Sequence, residues 1–233
     1  DDIDKIAVTA EPGLIGSLMV GINAAKTIGL AYHKPVIMVN HIYGHIYANY
    51  LESDFSFPLI ALVVSGGHTE LVYMKDHYDF KVLGETLDAV GEAYDKVARV
   101  VEVGYPGGPI LDKMAALGKP TYKLPHIKLA KDSYDFSFSG LKSAVINLHN
   151  KCKERNETLN YNDLACSFQE AVIDVLVSKT IMAAKEFNAK QVLIAGGVAA
   201  NKGLRSKMKE EMDKIGVKLT VPSIKNCTDN AAM

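Results

Sequence analysis

His41 and His45 stand four residues apart in the stretch NHIYGHIYANYLE, which otherwise reads as a helix. That spacing turns both imidazoles to one helix face, where they could share a divalent cation. Packed or capping histidines follow the same spacing, so the pair alone leaves both uses open. Asn40 is well placed as the N-cap of this segment.

Glycine turns form a second group of chemistry-bearing residues. VVSGGHT, from Val63, and IAGGVAAN, from Ile194, each follow a buried strand with a Gly pair. Glycine lets backbone amides converge on an anion with no Cβ in the way, and a helix N-terminus after the second turn adds partial positive charge. Neither turn is followed by GK[ST] and neither matches GxGxxG, so each taken singly reads more often as a mere tight turn than as a ligand site. A third stretch, YDKVARVVEVGYPGGPILDKMA, supplies Asp95, the pair Gly107 and Gly108, and Asp112. A carboxylate on a helix beside a glycine-lined wall suits ribose hydroxyls, because it accepts two hydrogen bonds where a phosphate would be repelled. The alternative for each aspartate is a solvated helix face.

These residues need elements to carry them. KIAVTA, from Lys5, reads as a buried strand, GLIGSLMVGINAAKTIGLAYH as a helix and KPVIMVN as a second strand, a unit that predicts parallel pairing. The pattern changes at Phe57. Three β-rich runs, Leu59 to Ser65, Thr69 to Met74 and Phe80 to Glu85, predict an antiparallel meander that opens a new lobe. From Leu87 to Phe187 the chain reads mostly as helix, with an aperiodic loop around LPHIKLAKDSYDFSFSG. Strand, glycine turn, helix and strand then recur through KQVLIAGGVAANKGLRSKMKEEMDKIGVKLTVPS.

The 233 residues are 48% hydrophobic and 23% charged, an ordinary globular composition with room for one large or two small cores. Lys and Arg number 26 against 27 Asp and Glu, which predicts no strong nonspecific grip on nucleic acid and leaves a local basic groove open. Three cysteines without a CxxC suit a reducing, intracellular compartment. No apolar run approaches the roughly 18 to 20 residues that cross a bilayer. The chain starts just before a strand and stops at CTDNAAM, where a helix is expected to begin, so truncation at both ends is expected.

NHIYGHIYA, VVSGGHTEL, GEAYDKVAR, GYPGGPILDKMA, FSFSGLKSAV, GGVAANKGLR and CTDNAAM occur together and in order. This set closely resembles the bacterial TsaD family, formerly called the Gcp or O-sialoglycoprotein endopeptidase family, over essentially the whole chain. The resemblance implies an α/β fold of the actin, sugar kinase and Hsp70 type, with two lobes of ribonuclease H-like units. Residues 1–56 would be the remainder of the first lobe, without its opening meander. Residues 57–233 would be the second lobe, with a helical insertion over about 87–187.

The activity implied is transfer of a threonylcarbamoyl group from threonylcarbamoyl-adenylate to the exocyclic amine of the adenosine beside the anticodon, in tRNAs reading codons that begin with A. A TsaC/Sua5-type synthase would supply the adenylate, and a TsaB-like partner and a TsaE-like ATPase would assist in the cytoplasm. Carried over by motif, Val63, Val64, Ser65, Gly66 and Gly67 would hold the adenylate, or ATP or ADP. Asp95, Gly108 and Asp112 would surround the nucleoside, Asn201 would close the other side, and Gly196 and Gly197 would face the phosphate. His41, His45 and Asp229 would bind one divalent metal, Fe(II) first and Zn(II) as the alternative. The general base stays unassigned, and tRNA is expected to be bound on surfaces made jointly with the TsaB-like partner.

Two alternatives rest on the same residues. A metal-dependent glycoprotein endopeptidase would use the same HxxxH, but an HExxH protease places its general-base Glu directly after the first His, and here that position is Ile42. A noncatalytic nucleotide-binding scaffold is the other, against which the intact metal and glycine motifs argue.

Overall fold

The computed structural model describes residues 2–86, 88–125 and 133–229. The chain opens with β1 (Ile6–Glu11), α1 (Ile15–Tyr32) and β2 (Val36–Asn40). The two strands pair in parallel, as the strand, helix, strand pattern predicts, from Ile6 opposite Val36 to Glu11 opposite Asn40. This small sheet buries little. Leu14, Ile15, Val20 and Leu30 on or beside α1 are all more than 70% exposed.

α2 (His41–Ala48) follows β2 with no intervening loop. The Asn40 side-chain oxygen accepts from the amides of Ile42 at 2.9 Å and Tyr43 at 3.2 Å, so the expected N-cap is present. Such a cap contributes about 1 kcal/mol and starts the helix at His41.

Next come β3 (Leu59–Val64), β4 (Thr69–Met74) and β5 (Phe80–Glu85), the antiparallel meander the sequence predicts. α3 (Val90–Val100), α4 (Gly107–Ala115), α5 (Ser139–Glu154) and α6 (Tyr161–Glu186) follow, and then β6 (Gln191–Ala195), α7 (Lys202–Ile215) and β7 (Lys218–Thr220). The sheet order is β5-β4-β3-β6-β7, with β6 parallel to β3 and β7 parallel to β6. A meander that continues on the far side of its own first strand is the ribonuclease H-like arrangement. Part of the aromatic loop, residues 126–132, and the closing Ala-Ala-Met lie outside the described residues.

Side chains alternate along a strand, so β3 feeds two cores. Ile60, Leu62 and Val64 join Val192 and Ile194 of β6 in the larger core, with Tyr94 of α3, Phe168 of α6 and Met208 of α7. On the other face Leu59, Ala61 and Val63 pack with Leu193 and Ala195 against Ile42 and Ile46 of α2. Burial on both faces explains the unbroken apolar run LIALVV. It also fixes α2, because Ile42 and Ile46 lie one turn apart and seat the helix on the sheet. Asn49, fully buried, adds a tether by donating to the Ile194 carbonyl at 3.2 Å.

Candidate metal centre and nucleotide cleft

With Ile42 and Ile46 against the sheet, the adjoining face of α2 presents His41 and His45. Their rings meet edge to face, with centroids 4.6 Å apart. Asp229, from the segment after β7, brings Oδ1 within 3.0 Å of His45 Nε2 and 3.6 Å of His41 Nε2. One ligand atom from each of the three residues lies within 4.8 Å of the others.

Two imidazoles and a carboxylate form a donor set that suits Fe(II) or Zn(II). His45 supplies a second test of fit. It is 1% exposed, and neither ring nitrogen makes a hydrogen bond of good geometry, despite the nearby carboxylate. An unserved buried polar group costs about 1–3 kcal/mol, a cost that coordination would offset. Burial first, and then the charge of His41, hold the His45 pKa below the ordinary imidazole value, with Asp229 pulling the other way. The neutral imidazole this favours is the form that ligates a metal.

The glycine turns meet through strand pairing. Val63 of β3 stands opposite Ala195 of parallel β6, so the turns that follow them leave the sheet side by side. Ligands of open α/β sheets bind outside such carboxyl ends. Gly196 has φ 90°, and a Cβ there would lie 2.5 Å from the Val64 carbonyl oxygen, so only glycine allows the two turns this close. A Cβ on Gly66, Gly67 or Gly197 would meet nothing within 4 Å. The helix expected after this turn, α7, begins at Lys202. A 3-10 turn, Gly197–Ala200, intervenes, and Asn201 caps α7 by accepting from the Leu204 amide at 2.8 Å.

Both aspartates make structural hydrogen bonds. Asp95 Oδ1 accepts from the Gly107 amide at 2.8 Å and caps α4. Within that glycine pair the first packs, since a Cβ on Gly107 would lie 2.5 Å from Ala98 Cβ, while Gly108 faces open space. Asp112 accepts from Gln169 Nε2 at 3.1 Å and from the Lys202 amide at 3.4 Å.

Gln169 is the residue the sequence reading missed. Its Oε1 accepts from Asn201 Nδ2 at 2.7 Å and from the Tyr94 hydroxyl at 3.3 Å, while its Nε2 donates to Asp112. One buried amide thereby joins α3, α4 and the start of α7. Burial, and then the charge of Asp112, raise the Tyr94 pKa far above its ordinary value, so the phenol stays a donor. A signal was available: Ala165, Gln169, Val172 and Leu176 share the buried stripe of α6, and a lone amide in an apolar stripe demands partners. Asp112, Gln169 and Lys202 also line a cavity of about 580 Å³.

The structure thus brings Val64, Ser65 and Gly196 together at the strand ends, links Asp112 to Asn201 through Gln169, and sets Asp95 against Gly107 at the start of α4, with Gly66, Gly67, Gly108 and Gly197 open to an added Cβ. α2, which carries His41 and His45, packs through Ile42 and Ile46 on the face of the same two strands that lies away from the larger core. Among the described residues no helix is long and apolar enough to cross a membrane.

Known proteins resemble both this sequence and this fold. The tRNA N6-adenosine threonylcarbamoyltransferase of Staphylococcus epidermidis is 59% identical over 234 residues, which span 100% of this chain and 69% of that protein. The enzyme of the same name from Staphylococcus carnosus is 58% identical, across 100% of this chain and 68% of its own. Among solved structures, full-length HypF in its phosphate- and nucleotide-bound form superposes with a TM-score of 0.72 at 14% identity, covering 97% of this chain and 45% of that one. The HypF likeness speaks for the fold alone. Residues 1–233 match the family described as TsaD, tRNA N6-adenosine threonylcarbamoyltransferase, and with relatives this similar along its whole length the chain belongs to that family.

Proposed function

We propose that this protein transfers the threonylcarbamoyl group of threonylcarbamoyl-adenylate to the exocyclic amine of the adenosine beside the anticodon, in tRNAs that read codons beginning with A, and releases AMP. Beyond family membership, one observation carries the reading. The strands that end in the paired glycine turns also seat the helix bearing His41 and His45, through the packing of Ile42 and Ile46. A nucleotide phosphate on the turns and a reacting carbonyl near the triad therefore suit a single extended substrate.

Gly66 and Gly67, with Gly197 across from them, offer open backbone to the phosphate, while the Ser65 amide and carbonyl are engaged by His68 and Gly91 and hold the turn in shape. Gly196 holds the two turns together. Asp95 and Asp112 each keep acceptor capacity for ribose hydroxyls beyond the bonds they already make. Asn201 closes the far side with an amide already oriented by Gln169 and by its cap on α7. His41, His45 and Asp229 would hold one Fe(II), or alternatively Zn(II). When bound, such a cation supplies Lewis-acid polarisation of the carbamoyl carbonyl.

The step itself is a displacement at carbon. The amine nitrogen forms a bond to the carbamoyl carbon, the bond from that carbon to the bridging phosphate oxygen breaks, and AMP leaves with the electron pair. The surplus proton of the amine passes to water, and no side chain is assigned as its base. Residues 1–56 and 57–233 serve as the two lobes, with the helical insertion at about 87–187. A TsaC/Sua5-type synthase supplies the adenylate, while a TsaB-like partner shares the tRNA surface and a TsaE-like ATPase assists in the cytoplasm. ATP or ADP is the simpler ligand of the cleft.

The peptidase alternative gains no support. Ile42 is 5% exposed and packs on the sheet, so the position of a general-base glutamate points into the core. The test combines the protein, synthetic adenylate and an unmodified tRNA transcript, followed by nucleoside mass spectrometry. Threonylcarbamoyladenosine is the expected product, and adenylate consumed without it would contradict the proposal.

A further inference from the structure

Asp229 is the triad member with least support of its own. Its side chain is 76% exposed, against 23% for His41 and 1% for His45. It arrives on the segment after β7, whose regular structure among the described residues is the 3-10 turn Ile224–Asn226. What keeps that segment beside α2 decides whether the triad exists.

Two side chains of opposite charge hold it. Glu52, just beyond the end of α2, accepts from the Ser223 amide at 3.0 Å, the Ser223 hydroxyl at 2.6 Å and Asn226 Nδ2 at 2.6 Å. The Ser223 and Asn226 hydrogen bonds hold the Glu52 carboxyl below the usual carboxylate range. Arg205, on α7, donates through Nη2 to the Pro222 carbonyl at 2.8 Å and to Cys227 Sγ at 3.2 Å. Its Nε donates to the Ala199 carbonyl at 2.6 Å, which ties the same guanidinium to the glycine turn. The carboxylate collects the donors of the segment and the guanidinium collects its acceptors, so neither could do the work of the other.

Distances decide how much this matters. Cys227 is fully buried and lies two residues before Asp229. Two residues of extended chain reach about 7 Å. The three ligand atoms lie within 4.8 Å of one another. A segment freed near Cys227 could therefore carry the carboxylate out of the triad altogether, while His41 and His45 stayed fixed on α2.

We propose that Glu52 and Arg205 are positioning residues for the metal centre, holding the segment that presents Asp229 to the two histidines. The proposal rests on the triad being a metal site. Metal-free protein is titrated with Zn²⁺ against a chromophoric chelator, for wild type, Glu52→Gln, Arg205→Lys and the His41→Ala, His45→Ala pair. Both positioning variants should bind Zn²⁺ about 10-fold more weakly or worse, a typical loss when support around a metal ligand is removed. Glu52→Gln should leave the ADP affinity of the protein unchanged. Arg205→Lys should also weaken ADP, through Ala199.

A lowered melting temperature with unchanged Zn²⁺ affinity would show that these contacts merely stabilise the fold, and would overturn the proposal. So would wild-type Zn²⁺ affinity in both variants while the histidine pair loses it. Equal affinity in wild type and the histidine pair would instead remove the triad reading, and this proposal with it.

Discussion

Gly196 and Ser65 are neighbours because β3 and β6 are hydrogen-bonded parallel strands buried on both faces. His45 and Asp229 are neighbours because side chains hold a surface segment beside a helix. The proposed nucleotide cleft is thus fixed by backbone pairing at the centre of the sheet, whereas one third of the proposed metal centre, Asp229, lies exposed on a segment held by side chains. Substitutions in the cleft should therefore affect folding and binding together. At the metal centre, binding should be separable from folding.

Within the cleft the sharpest contrast lies between Gly196 and Gly197. A side chain at Gly196 meets the Val64 carbonyl and must adopt a φ of 90°. Gly196→Val should destabilise the protein by about 2–4 kcal/mol, from overpacking and backbone strain combined, and should abolish ADP binding. Gly197→Ala should leave stability within about 0.5 kcal/mol of wild type. Urea unfolding and calorimetry on the two variants check this, and similar behaviour in both would erase the distinction between a packing glycine and an open one.

Gln169 comes next in size. Gln169→Met removes the donor to Asp112 and the acceptor for Asn201 and Tyr94, leaving buried polar groups unserved at about 1–3 kcal/mol. ADP affinity should fall roughly 10-fold, about 1.4 kcal/mol. Gln169→Glu keeps the acceptor but sets a carboxylate against Asp112, so it too should weaken ADP. Zn²⁺ affinity should not move in either variant, and if it does the two regions are not independent.

What could be read in advance follows the same division. The bounds of β4 and β5 coincide with the apolar patterns because local periodicity and burial agree there. His41, His45 and the Asn40 cap were legible for the same reason, being spaced along one helix. Gln169, Glu52 and Arg205 were not, since their roles depend on partners brought from distant parts of the chain by the sheet. Arg205 faces inward to three acceptors.

The smallest expected effect is on pH dependence. Burial depresses the His45 pKa in the folded protein, while the unfolded chain titrates near the ordinary value of 6.5. Above that value His45 is neutral in both states and its contribution to stability is fully present. As pH falls below 6.5 the unfolded state takes up the proton first, and stability is lost until the folded pKa is passed. Metal-free wild type should accordingly show a lower urea midpoint at pH 5.5 than at pH 7.5, with the difference reduced in His45→Gln. An unchanged difference would mean that His45 is not the group responsible.

The central claim is that His41, His45 and Asp229 form a metal site that serves threonylcarbamoyl transfer. Wild type and the His41→Ala, His45→Ala pair, purified side by side, can be compared for bound metal by elemental mass spectrometry and for threonylcarbamoyladenosine formed on an unmodified tRNA transcript. The account predicts bound metal and modified nucleoside in wild type and the loss of both in the variant, with ADP affinity retained. Metal content that survives the double substitution, or transfer at the wild-type rate without it, would contradict the account.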